Sequence, residues 1–201
     1  MADEKLDTGI RREQIAEAAL SLVAAYGLKH LSVAAVARRV GLVPSGIYRH
    51  FKSKDQILAA VLDLLEQRLL ANVRAAREDS PRPIERLRSV LTRHIRFIRE
   101  GRAIPQIIFS DDVHGGDPER KQRILEILGA YRGQIVGLIR DGQREGVIRA
   151  ELDPETVSLM LLGIIVPAGI LWHLTDGGFD VTRHAERCWQ MFHEMIAVKG
   201  T

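Results

Sequence analysis

At 201 residues the chain is long enough for one or two compact domains with a real core, and its apolar and charged fractions are those of an ordinary soluble protein. A single cysteine, Cys188, excludes an intrachain disulfide framework and fits a reducing cytoplasm; the acidic opening MADEKLD lacks the apolar run of a secretory signal. Net charge is only +3, but residues 8–54 hold eight Lys/Arg against two Asp/Glu, so that segment carries +6 and the remainder −3. This distribution suggests a polyanionic partner for the N-terminal module alone, scattered solvated charge being the alternative.

The first predicted helix runs from Thr8 to Tyr26, with Ile15, Ala18, Ala19, Leu22, Val23 and Tyr26 on one stripe and Gly27 at its end. Arg11 and Arg12 stand near its start, where the helix dipole disfavours cations. A nearby phosphate would offset that cost; the alternative is two solvated arginines. Ser32 can cap a second helix whose apolar face is Val33, Val36, Ala37 and Val40, and Gly41 follows where a chain leaving a helix often needs positive φ. Leu42 can plug the corner, and Pro44 opens a brief third helix in which Ile47 and Phe51 face inward while Ser45, Tyr48, Arg49 and His50 largely do not. Ser53-Lys54-Asp55-Gln56 has capping-box spacing and opens a longer helix.

Two short helices joined by a Gly-containing turn describe a helix-turn-helix, whose second helix enters the DNA major groove. Tyr48, Arg49, His50, Lys52 and Lys54 can reach phosphate oxygens, and small Ser45 and Gly46 let the backbone approach base edges. Gly41-Leu42, Gly46-Ile47-Tyr48-Arg49-His50-Phe51 and Ser53-Lys54 resemble the DNA-binding signature of the TetR family of bacterial transcriptional repressors, over roughly the first quarter of the chain. Val43 stands where members often carry Ser or Thr, so no side-chain cap on the recognition helix is expected. The resemblance implies a homodimer on a double-stranded, palindromic DNA operator, released by a small-molecule effector. The DNA-contacting set expected here is Ser32, Pro44, Ser45, Gly46, Tyr48, Arg49, His50 and Lys54.

From Lys54 a long helix continues through Leu58, Leu62, Leu65, Leu69 and Val73 to about Arg77, before Ser80-Pro81-Arg82-Pro83 breaks it. A fifth helix carries Ile84, Leu87, Leu91, His94, Ile95 and Ile98 inward, with Arg86, Arg88, Arg93, Arg96 and Arg99 read as a solvated face rather than a second nucleic-acid surface. Ile104 to Phe109 reads as a brief helix, and residues 110–116 as a loop. Asp117-Pro118-Glu119 and Asp153-Pro154-Glu155 are strong helix starts, and a last helix begins near Thr182. The expected architecture is all-α, about nine helices: a head over residues 1–55 and a ligand-binding and dimerisation body over 56–201.

Val157 to Leu174 is long and apolar enough to raise a membrane span, but Gly163, Pro167 and Gly169 interrupt it and no Lys/Arg cluster flanks it. The preferred reading has no membrane: this helix and the last one pair two copies in a four-helix bundle, simple intrachain core being the alternative. A ligand pocket among the middle helices would draw on His94, Phe97, Phe109, Tyr131 and Trp172, and would take a mostly apolar effector.

No catalytic constellation is visible. His173, His184 and His193 lack metal-ligand spacing, Asp111, Asp112 and His114 read as turn residues, and Cys188 lies on an apolar helical face. The expectation is a cytoplasmic regulator with no cofactor and no metal. A helical adaptor without sequence-specific DNA binding, or else an enzyme, is the alternative.

Overall fold

The computed structural model describes residues 8–100 and 117–198. Eight α-helices and one short 3-10 turn make up these residues: α1 Thr8–Tyr26, the 3-10 turn Leu28–His30, α2 Val33–Arg39, α3 Pro44–Tyr48, α4 Lys54–Asp79, α5 Pro83–Arg99, α6 Pro118–Arg144, α7 Pro154–Leu174 and α8 Val181–Ile196. The only extended pairing among them is one antiparallel bridge, Ile148 with Ala197. The all-α reading therefore holds. The ninth expected helix, Ile104 to Phe109, lies outside the described residues, as do Asp111, Asp112 and His114.

The described chain falls into two compact units, one holding the chain up to Gln67 and the start of α6 as far as Ile124, the other Arg68–Glu100 and the chain from Leu125 on. In the first, α1 packs against α2 and the 3-10 turn, and α2 against α3. Ile15, Ala19, Val23, Val36, Ile47, Phe51, Ile57 and Val61 are fully buried there. Each of the valine, isoleucine and phenylalanine side chains is worth about 1.5–3 kcal/mol on burial, which is how a unit containing helices of only five and seven residues holds together.

The second unit packs α5, α7 and α8 against one another around Leu87, Val90, Ile135, Leu138, Ile139, Leu161 and Ile196. Gly142 marks its tightest approach, since a Cβ there would stand 2.5 Å from Ile148 Cδ1. The predicted starts are capped as read: Asp117 Oδ1 accepts from the Glu119 amide at 3.0 Å and Asp153 Oδ2 from the Thr156 amide at 2.8 Å. α7 continues through Pro167. Only a third of its most apolar stretch is buried, with Leu159, Met160, Val166, Leu171 and Leu174 exposed. Of the arginines on α5, Arg93 pairs with Asp79 at 2.7 Å and Arg86 donates to the Ser80 carbonyl, while Arg88, Arg96 and Arg99 are exposed.

Candidate nucleic-acid interface

The turn between α2 and α3 is closed by backbone alone. Ser32 Oγ accepts from the Ala35 amide at 3.1 Å to start α2. At its end the Leu42 amide reaches the Ala37 carbonyl at 2.9 Å and the Gly41 amide the Arg38 carbonyl at 3.4 Å, with Gly41 at φ +70°. This is the Schellman arrangement, which needs a left-handed residue at that point. Leu42 then sits against Gly46, 3.6 Å from where a Cβ would be. Val43 caps α3 without a side-chain hydrogen bond, as its lack of a hydroxyl requires, and Pro44 occupies the first turn.

Ile47 and Phe51 are fully buried, so the opposite side of this short helix is turned out. Pro44, Ser45, Arg49, Lys54 and Tyr48 are exposed, the last at 48%, and Ser32 is exposed beyond the start of α2. Gly46 and His50 are half-buried, and His50 Nδ1 is buried without a hydrogen-bond partner. Lys52 Nζ donates to the Tyr48 carbonyl at 3.2 Å. The capping box at the start of α4 forms with a shift: Ser53 Oγ accepts from the Gln56 amide at 3.2 Å, but Gln56 Oε1 accepts from the Lys52 amide at 2.8 Å, one residue before the cap.

Two features of this unit escape sequence patterning. Arg12 is neither a free cation nor aimed only at solvent: its guanidinium lies over the Phe51 ring, 4.2 Å from the centroid, and donates to the His50 carbonyl. Arg120 and Arg123 form an ionic ladder with α4. Arg120 meets Asp55 at 3.1 Å, and Arg123 meets Asp63 at 2.8 Å and Glu66 at 2.6 Å, the two acids raising the guanidinium pKa. These residues border a groove of about 350 Å³ that also takes in Leu58, Leu62 and Asp117.

Among the pocket candidates, His94, Phe97 and Tyr131 come together inside the second unit. All three are buried, His94 Nδ1 is 2.9 Å from the Tyr131 hydroxyl, and the His94 and Phe97 rings meet edge to face at 6.2 Å. Burial pulls the His94 imidazole down to about 4 and pushes the Tyr131 phenol up, so both are neutral near pH 7. Trp172 is half-buried near the end of α7, its indole against Gly177, and Phe109 lies outside the described residues. Cys188 is half-buried rather than enclosed, with Sγ 3.7 Å from His184 Nε2. No group of three or more potential metal ligands occurs among the described residues.

A glycine-hinged pair of short helices, the second pinned by Ile47 and Phe51 and turning Tyr48 and Arg49 outward, is a helix-turn-helix DNA-binding module on a larger helical body. Residues 15–61 match the family model described as bacterial regulatory proteins, tetR family, and residues 80–196 match the tetracyclin repressor-like C-terminal domain. The chain belongs to the TetR family and is a DNA-binding transcriptional regulator. It is 24% identical over 168 residues to a fatty acid metabolism regulator protein of Bacillus subtilis (strain 168), covering 84% of this chain and 86% of that one. It is 22% identical over 181 residues to a nucleoid occlusion factor SlmA of Marinomonas sp. (strain MWYL1), covering 90% and 89%. The fold matches that of the transcriptional regulator FadR from Bacillus subtilis, solved in complex with stearoyl-CoA, with a TM-score of 0.75 at 24% identity, covering 91% of this chain and 98% of that one.

Proposed function

We propose that this protein is a cytoplasmic repressor, with no enzymatic role, that binds a palindromic operator as a homodimer and leaves it when a mostly apolar molecule occupies its helical body. The observation that carries the DNA half of this reading is the outward face of α3. Tyr48, His50 and Lys54 anchor phosphates, Arg49 assists, and Pro44, Ser45 and Gly46 approach base edges, with Ser32 at the start of α2 alongside. In this reading the DNA-binding head is residues 1–55, and the ligand-binding and dimerisation body is residues 56–201.

The dimer is supported by the apolar side chains left in solvent on the last two helices, Leu159, Met160, Val166, Leu171 and Leu174 on α7 and Met191 on α8. Large apolar side chains left in solvent in this number on two neighbouring helices suit a partner surface. The effector site is read among the middle helices with His94, Phe97, Phe109, Tyr131 and Trp172. The described members of that set are apolar or neutral, which suits a ligand with a long hydrocarbon part; the stearoyl-CoA in the FadR structure is an example of that chemistry. Release then needs only that the ligand prefer the arrangement unable to engage both operator halves, with a coupling of about 1–3 kcal/mol.

The test is a thermal-shift screen of fatty acids, their acyl-CoA esters and aromatic apolar compounds, with every stabilising compound then added to a protein–operator complex. Release of DNA by at least one of them is the expected result. A set of stabilisers none of which changes operator affinity would sink the effector half of the reading.

A further inference from the structure

Building on the assignment of α3 and its flanks as the DNA-contacting face, we propose that Arg12 is a positioning residue for that face. It clamps the C-terminal end of the recognition helix to the start of α1 and so fixes where Tyr48 and His50 stand. The guanidinium carbon is 4.2 Å from the centroid of the Phe51 ring, and Nη1 donates to the carbonyl of His50. Phe51 is fully buried, so the ring is a fixed platform rather than a passing contact.

α3 is five residues long, too short to hold its own last turn. Its end is held by bonds of the turn that follows and by one group from outside it, Arg12. The His50 and Phe51 amides both return to the Ile47 carbonyl at 2.9 Å, Lys52 Nζ takes the Tyr48 carbonyl, and Arg12 takes the His50 carbonyl. A cation beside the final carbonyls of a helix also interacts favourably with the helix dipole.

The residue type matters. A planar guanidinium can lie on a ring face and donate in its own plane at once; an ammonium lacks that pairing of faces and edges. Arg12 stands near the start of α1, where the dipole of its own helix disfavours a positive charge, and the contact it makes is 38 residues away. Release of the clamp frees the turn carrying Tyr48, Arg49 and His50 while leaving the charges of those side chains in place. Loss of Arg12 therefore blurs register on the duplex more than it weakens attraction to phosphate.

The experiment compares wild type, Arg12→Ala and Lys54→Ala by fluorescence anisotropy across a salt series. One duplex is selected by the wild-type protein from a randomised pool; the other is its scrambled counterpart. Arg12→Ala is expected to weaken the selected duplex by about tenfold and the scrambled one far less, with the salt slope on the selected duplex unchanged. An equal loss on both duplexes with a shallower slope would make Arg12 an ordinary phosphate contact and overturn the proposal. So would unchanged binding by Arg12→Ala alongside weakened binding by Lys54→Ala. Unchanged binding by Lys54→Ala as well removes the assignment of the face itself, a result distinct from a silent Arg12. Should Arg12→Ala lose its cooperative unfolding transition, Arg12→Lys, which keeps the charge and loses the planar fork, is read by the same criteria.

Discussion

His94 Nδ1 and the hydroxyl of Tyr131 stand 2.9 Å apart in the interior of the second unit, joining α5 to α6 across 37 residues of sequence. Both side chains are buried, and each is the other's polar partner there. With the imidazole proton on Nε2, the hydroxyl donates to Nδ1, and the bond forms between two neutral groups.

That pair makes stability depend on pH. An unfolded histidine takes up a proton near 6.5, whereas the buried His94 does so only near 4. Between those values the unfolded chain binds the extra proton, so stability falls as pH falls from about 6.5 to 4 and is flat below. The loss is about 3 kcal/mol across that window. Urea unfolding of wild type and His94→Gln at several pH values should show the slope in wild type and a much flatter line in the variant. Parallel lines would remove His94 as its source.

The turn before the recognition helix depends on one backbone conformation. Gly41 sits at φ +70° with nothing within 4 Å of where a Cβ would stand, so Gly41→Ala meets no steric neighbour, only the left-handed backbone penalty. That penalty is about 1–2 kcal/mol. Hydrogen exchange at the amides of residues 41 and 42, which close the turn onto Arg38 and Ala37, should speed up, with exchange in α5 and α8 unaltered; an unperturbed turn would mean that another residue sets it.

Much of this is legible in the sequence. The four-residue spacing of Ile47 and Phe51, the glycine after Val40 and the Asp-Pro-Glu starts each state a local rule, and local rules survive folding. What patterning cannot supply are the pairings at long separation. Arg12 with His50 lies 38 residues apart and Arg120 with Asp55 65 apart, and nothing in the periodicity of either segment names its partner. The nearest signal is a negative one, two arginines at a helix start where the dipole disfavours them. His94 and Tyr131 are readable as inward residues and Phe97 as a pocket candidate, but the hydrogen bond between the first two is not.

The exposed apolar side chains of α7 and α8 give the proposed dimer a direct test. Leu174 is 72% exposed and Met191 66%, so glutamate at either position is tolerated by the single chain. Leu174→Glu combined with Met191→Glu should convert the sedimenting species from two copies to one without loss of helicity. Operator affinity should fall with it, since two heads then no longer bind as one. A double variant that remains dimeric would place the contact elsewhere.

The central claim is that the face around α3 grips the DNA backbone, and its most direct test is the salt dependence of duplex binding by Lys54→Ala and Tyr48→Phe beside wild type. Each lost phosphate contact from the lysine should weaken binding to every sequence and flatten the slope of log affinity against log salt by about 0.9. The phenylalanine variant should weaken binding with the slope retained, because it removes a neutral donor. Affinity and slope unchanged in both variants would contradict the account.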